Sequence, residues 1–234
     1  MPPKKSSTAA KKRKSEVDTS PAPEAKRTRT AKDPKASHLY TDDNPATTLH
    51  GTGFKDKATA LHTLELVSQR SLTYQFQTIN TMLYRAKGHA HKTDGIKDAI
   101  SVFQDWADGY KERKGALRSF PLLSKPKVKA YLEAWEADEY GNVGEDIKGL
   151  EDAKEFAKMY VDLGARKRLG NTLVDMEKPG GEDWEIRRYK RLCDIVEEDS
   201  EWDVGELWID ERERIPTGEH LRLILWGWSP SKKT

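Results

Sequence analysis

The sequence predicts a mainly α-helical protein: a single helical domain of about six or seven helices preceded by a disordered basic N-terminal arm. Two observations carry that expectation. Residues Met1–Ser37 hold no Leu, Ile, Phe, Tyr or Trp, but do hold eleven Lys and Arg, four Asp and Glu and five of the eleven prolines. Such a segment cannot bury enough apolar surface to offset its ordering entropy. Past Asn44-Pro45 the pattern changes, and apolar residues recur every three or four positions, the spacing of a helix face.

The elements follow in order. Phe54, Ala58, Leu61 and Leu64 form a first stripe. Leu72, Phe76, Ile79, Leu83 and Ala86 form a second, with Ser71 as its N-cap. Ile96, Ile100, Phe103, Ala107 and Tyr110 form a third, opened by Thr93 or Asp94 and closed near Gly115. A fourth helix runs from about Pro126, after Ser124, with Val128, Tyr131, Leu132 and Trp135 on one face. Gly141 and Gly144 break the pattern, so the domain, residues 38–230, has a candidate subdivision near 141–145. Ile147, Leu150, Ala157, Tyr160 and Val161 suggest another helix, as do Ile186, Tyr189, Cys193 and Val196. At the end, Leu221, Ile224 and Trp228 fit a helix, while Leu221, Leu223 and Leu225 alternate as a strand would. A helix after Pro216 and Thr217 is preferred, followed by a short basic tail, 231–234.

Charge is unevenly distributed. The chain's net charge is +2 and the arm contributes +7, so residues 38–234 stand at −5. A mildly acidic body cannot coat itself uniformly on a polyanion, so affinity for nucleic acid must come from the arm and from local patches. Lys11, Lys12, Arg13 and Lys14, then Lys26, Arg27 and Arg29, form two basic clusters separated by eleven residues. That arrangement suits a nuclear import receptor, and equally a phosphate backbone. It places the protein in the nucleus. A mitochondrial presequence would instead be an amphipathic helix poor in acids. Ser20, before Pro21, is a candidate phosphosite whose modification would oppose the neighbouring bases.

In the body, Lys111, Arg113, Lys114, Arg118, Lys125, Lys127 and Lys129 are opposed only by Glu112, a local +6. These are the expected nucleic-acid contacts, weighed against an ordinary solvated face. A smaller patch comprises Arg85, Lys87, His89, His91 and Lys92. Residues 132–212 hold 24 acids and 12 bases, and Trp184, Trp202, Trp208, Trp226 and Trp228 lie in the same half of the chain. The tryptophans read first as core and interface anchors, because indole carries the largest apolar area.

Other motifs carry less. His89-Ala90-His91 lacks nearby ligands to complete a metal site. Asp105, Asp108 and Glu112-Arg113-Lys114 would lie at a helix end and not on the paired strands of a nuclease. Glu197, Glu198, Asp199, Glu201 and Asp203 lack the spacing of an EF-hand loop. Gly51-Thr52-Gly53-Phe54 lacks the lysine of a P-loop. With one cysteine, Cys193, no intramolecular disulfide or thiolate cluster can form, and Leu223-Ile224-Leu225-Trp226 is too short to span a bilayer. No catalytic, metal or cofactor residues are assigned, and no membrane contact is expected. The expected function is a non-enzymatic nuclear protein associated with DNA or chromatin. The alternative is a nuclear adaptor whose acidic, Trp-rich C-terminal half docks a protein partner and whose arm serves only for import.

Overall fold

A computed structural model describes residues 49–141, 143 and 147–230. The arm with its import clusters, Ser20 and the tail 231–234 lie outside the described residues.

Short polar side chains start several of the helices by accepting otherwise orphaned amide hydrogens. Asp56 accepts from the Thr59 amide at 2.8 Å and opens α1 (Lys57–Val67). Ser71 opens α2 (Leu72–Lys87) and Thr93 opens α3 (Asp94–Asp108), as their positions in the sequence predict. These three helices enclose one apolar cluster containing Ala60, Val67, Ile79, Leu83, Ala99 and Phe103. The face of α1 differs from the stripe read in the sequence. Ala60, Thr63 and Val67 are buried, whereas Leu61 is 45% exposed. Thr63 is accommodated there by bonding: its hydroxyl donates to the carbonyls of Gly53 at 3.1 Å and Thr59 at 2.9 Å, and its oxygen lies 2.9 Å from the Gly53 amide.

The third helix stops earlier than its stripe suggests. At Gly109 the Gly109–Asp105 backbone bond is stretched to 3.5 Å, and a short helix, α4 (Tyr110–Gly115), follows. A Cβ at Gly109 would sit 2.7 Å from Arg113 NH1. Arg113 folds across this glycine to lie over the Trp106 ring, 4.4 Å from its centroid, and to donate to the Trp106 carbonyl.

The chain then runs to α5 (Lys125–Glu136), α6 (Leu150–Asp162), α7 (Trp184–Ile195), α8 (Val204–Leu207) and α9 (Gly218–Leu225). A second cluster joins Val128, Leu132, Phe156, Trp184, Leu192, Ile224 and Trp226 across α5, α6, α7 and α9. α5 and α6, on either side of residues 141–145, share this cluster. Thr217 caps α9, so the last segment is helical. It is preceded by an antiparallel pair, β1 (Trp208–Asp210) and β2 (Ile215–Pro216), which the sequence reading did not include. Their brevity leaves no alternation to detect. The protein is mainly helical, and no described helix is long and apolar enough to cross a membrane.

Candidate binding groove

Between the two clusters lies a groove of about 960 Å³. Its walls come from the N-terminal turn of α2, from α4 with the segment 116–121, and from α7. Arg70, just before α2, is 2% exposed and binds across the molecule. Its Nε donates to Asp183 Oδ2 at 3.2 Å, and its NH1 and NH2 donate to the carbonyls of Pro179 and Gly170, each at 3.0 Å. Asp183 is the N-cap of α7 and is fully buried. It also accepts the Ile186 amide at 2.9 Å and the Ser71 amide at 2.7 Å. One carboxylate therefore caps α7 and ties it to the start of α2.

Beside it, Glu185 accepts the Thr73 hydroxyl at 2.7 Å, and burial pushes its carboxyl above the ordinary glutamate value. One turn on, Arg188 is 8% exposed and donates to backbone carbonyls: Trp226 at 2.7 Å, Phe120 at 3.1 Å and Gly227 at 3.2 Å. Burial lowers the guanidinium to about 10, so it stays charged at neutral pH. Gly227 holds φ +71, and a Cβ there would meet Leu122 Cδ1 at 2.9 Å. Its carbonyl also accepts the Leu123 amide at 2.7 Å, and the Leu123 carbonyl accepts the Tyr160 hydroxyl at 2.8 Å. The segment following α4 is thus pinned to the second cluster along one wall of the groove.

The seven cations expected to meet phosphates separate into three situations. Arg113 and Lys114 of α4 and Arg118 just after it line the groove, and Lys111 is exposed on α4. Arg118 is turned inward, donating to the carbonyls of Val196 at 2.6 Å and Glu197 at 2.9 Å. Lys125 likewise donates to the carbonyls of Val161 and Leu163. Each places a cation at a helix C-terminus, of α7 and of α6, where orphan carbonyls and the helix dipole favour it. Lys129 pairs with Glu133 at 3.5 Å, and Lys127 is exposed on α5. With Arg113 laid over Trp106, the exposed members without a described partner are Lys111, Lys114 and Lys127.

Arg70, Glu185, Arg188 and Lys190 also line the groove, and sequence reasoning missed them. For α7 a signal existed: Arg187, Arg188, Lys190 and Arg191 crowd five positions inside an otherwise acidic half. For Arg70 none did. In the smaller patch, Lys87 donates to Gln104 Oε1 at 2.6 Å, and His89 Nδ1 lies 2.9 Å from the His91 carbonyl. Among the described residues no group of three or more His, Cys, Asp and Glu side chains could hold a metal ion.

No protein-family model, no curated protein and no solved structure matches this chain.

Proposed function

We propose that this protein is a nuclear, DNA- or chromatin-associated binding protein whose N-terminal arm supplies most of its phosphate contacts. The observation that carries the reading is the segregation of charge: +7 over residues 1–37 against −5 over the remainder. Counterion release rewards clustered cations on an anionic backbone regardless of base sequence, so an arm of this composition binds nucleic acid without reading it. The exposed Lys111 and Lys114 on α4, with Lys127 on α5, add a weaker contact from the body. Arg118 and Lys125 contribute less than their charge suggests, because leaving a helix C-terminus for a phosphate forfeits the bonds already made there.

The test is affinity for two unrelated DNA duplexes of equal length across a salt series. The expected result is similar affinity for both and a steep fall with salt. No binding at low salt, or binding indifferent to salt, would overturn the reading.

One feature favours the adaptor reading as a second function of the same chain. Val204 and Ile209 are exposed within the acid-rich half, Ile209 on the β1–β2 pair. Apolar side chains flanked in the sequence by Asp203, Glu206, Asp210 and Glu211 suit a partner with a basic surface.

A further inference from the structure

We propose that the groove between α2, α4 and α7 is a docking site for an acidic peptide segment of another protein, one that carries an aromatic or aliphatic anchor. This goes beyond the arm-based reading above and stands or falls separately from it.

The occupant follows from the chemistry of the walls. Arg113, Lys114, Arg118 and Arg188 line the groove, and none of the four makes a carboxylate ion pair among the described residues. Hydrogen bonds to carbonyls fix Arg118 and Arg188 without cancelling their charge. Glu185, the acid in the same wall, is held by the Thr73 hydroxyl at 2.7 Å, and burial pushes its carboxyl above the ordinary glutamate value. Nearby apolar surface completes the site: Leu117 is 41% exposed and lines the groove, together with Phe120. Fixed cations beside exposed apolar side chains recognise alternating acidic and apolar residues, with charge setting orientation and the anchor supplying buried area.

Other occupants fit less well. The chain's own arm, with eleven bases and four acids, is repelled by these walls. A nucleic-acid strand is longer than the groove, and outside its basic patches the folded body is net acidic, −5 over residues 38–234. A short peptide ends before that repulsion accumulates.

The experiment is fluorescence anisotropy on the full-length protein with three labelled probes. The first is a peptide of about twelve residues, rich in Asp and Glu, with Phe and Leu four positions apart. The second replaces that Phe and Leu by Ser, and the third is a single-stranded oligonucleotide of similar length. The first probe is expected to bind at least about fivefold more tightly than the second, consistent with loss of a buried anchor. Reversing Arg113 and Lys114 to Glu together should weaken it about tenfold, through loss of attraction and added repulsion. Neutralising Lys11, Lys12, Arg13 and Lys14 should leave it unchanged within twofold. Should Arg113→Glu unseat Trp106, as circular dichroism would show, the pair Lys114→Glu and Leu117→Ala alters two exposed positions and reads the same surface.

Equal binding of the first two probes, or loss of binding on neutralising the arm, would overturn the proposal in favour of nonspecific capture by the arm. An oligonucleotide that binds with the sensitivity to Arg113→Glu and Lys114→Glu expected of the peptide, while the peptide does not bind, would assign the groove to nucleic acid instead.

Discussion

Replacing Asp183 by Ala removes the buried carboxylate that ties the start of α7 to the start of α2, beside the bond from Thr73 to Glu185. The carboxylate is fully buried and accepts three hydrogen bonds: from Ile186 N at 2.9 Å, Ser71 N at 2.7 Å and Arg70 Nε at 3.2 Å. Loss of the cap alone costs about 1 kcal/mol. The larger cost is electrostatic, because Arg70 is only 2% exposed and would keep its charge in place without its carboxylate. Breaking a buried ion pair from one side costs about 3–5 kcal/mol, and that range already contains the bonds to the guanidinium. Together these come to about 4–6 kcal/mol, and for a domain of this size each kcal/mol shifts the midpoint by about 2–4 °C, so Asp183→Ala should lower Tm by roughly 8–24 °C. Thermal unfolding followed by circular dichroism reads this directly. The double variant Arg70→Met with Asp183→Leu supplies the control. It removes both charges together, and should be less destabilised than the sum of its single variants by about 1–3 kcal/mol. A loss below about 1 kcal/mol for Asp183→Ala, or strict additivity in the double variant, would refute the assignment of this pair as the tie between the two halves.

Gly109→Val should displace Arg113 from Trp106, since a side chain there meets Arg113 NH1 at 2.7 Å. Increased quenching of tryptophan fluorescence by added iodide would register the uncovered ring, and unchanged quenching would deny the contact. His220 is fully buried, its Nδ1 2.8 Å from the Leu207 carbonyl and its Nε2 2.9 Å from Ser229 Oγ. A carbonyl only accepts, so Nδ1 carries the proton and Nε2 accepts the serine hydroxyl. Burial lowers this histidine to about 4, against about 6.5 when unfolded. Its contribution is therefore complete above pH 6.5 and is lost as pH falls towards 4, because the unfolded chain takes up the proton first. About 2–3 kcal/mol of stability should disappear over that window, and His220→Gln should remove this part of the slope in denaturant titrations. Finally, residues 1–37 fused to a fluorescent reporter should carry it into the nucleus, and replacing Lys11, Lys12, Arg13 and Lys14 should abolish most of that import. Diffuse fluorescence from the native arm would contradict the address.

Periodicity and capping made most of the helical layout legible. Ser71, Thr93 and Thr217 are short polar residues before apolar stripes, and each starts a helix. The face of α1 was not legible because Thr63 counts as polar in a sequence, while a hydroxyl bonded to two carbonyls is at home in a core. The break at Gly109 was hidden because the stripe continues through Tyr110, whose ring stacks on Phe76 of α2 at 4.1 Å between centroids. The groove was legible on one side. Arg113, Lys114 and Arg118 stood out as charge density, but the opposite wall depends on Arg70 meeting Asp183 across 113 positions. No local pattern encodes that meeting. Nor does a count of bases tell a cation aimed at solvent from one capping a helix: Lys125 and Lys111 look alike in the sequence, and only Lys125 is bonded to the end of α6.

The central claim is that the arm, more than the folded body, meets nucleic acid. The most direct measurement is the slope of log affinity against log salt on one DNA duplex, compared among three proteins. These are the intact chain, a variant with Lys11, Lys12, Arg13, Lys14, Lys26, Arg27 and Arg29 changed to Gln, and a variant with Lys111, Lys114 and Lys127 changed to Gln. Every phosphate that a substitution leaves without its cation flattens the slope by about 0.9, so the body variant can flatten it by at most about 2.7 and the arm variant by at most about 6.3. The expected result is a slope flattened by several units in the arm variant and by less than about 2.7 in the body variant, with both proteins folded. A slope unchanged by the arm substitutions and abolished by those in the body would contradict the account.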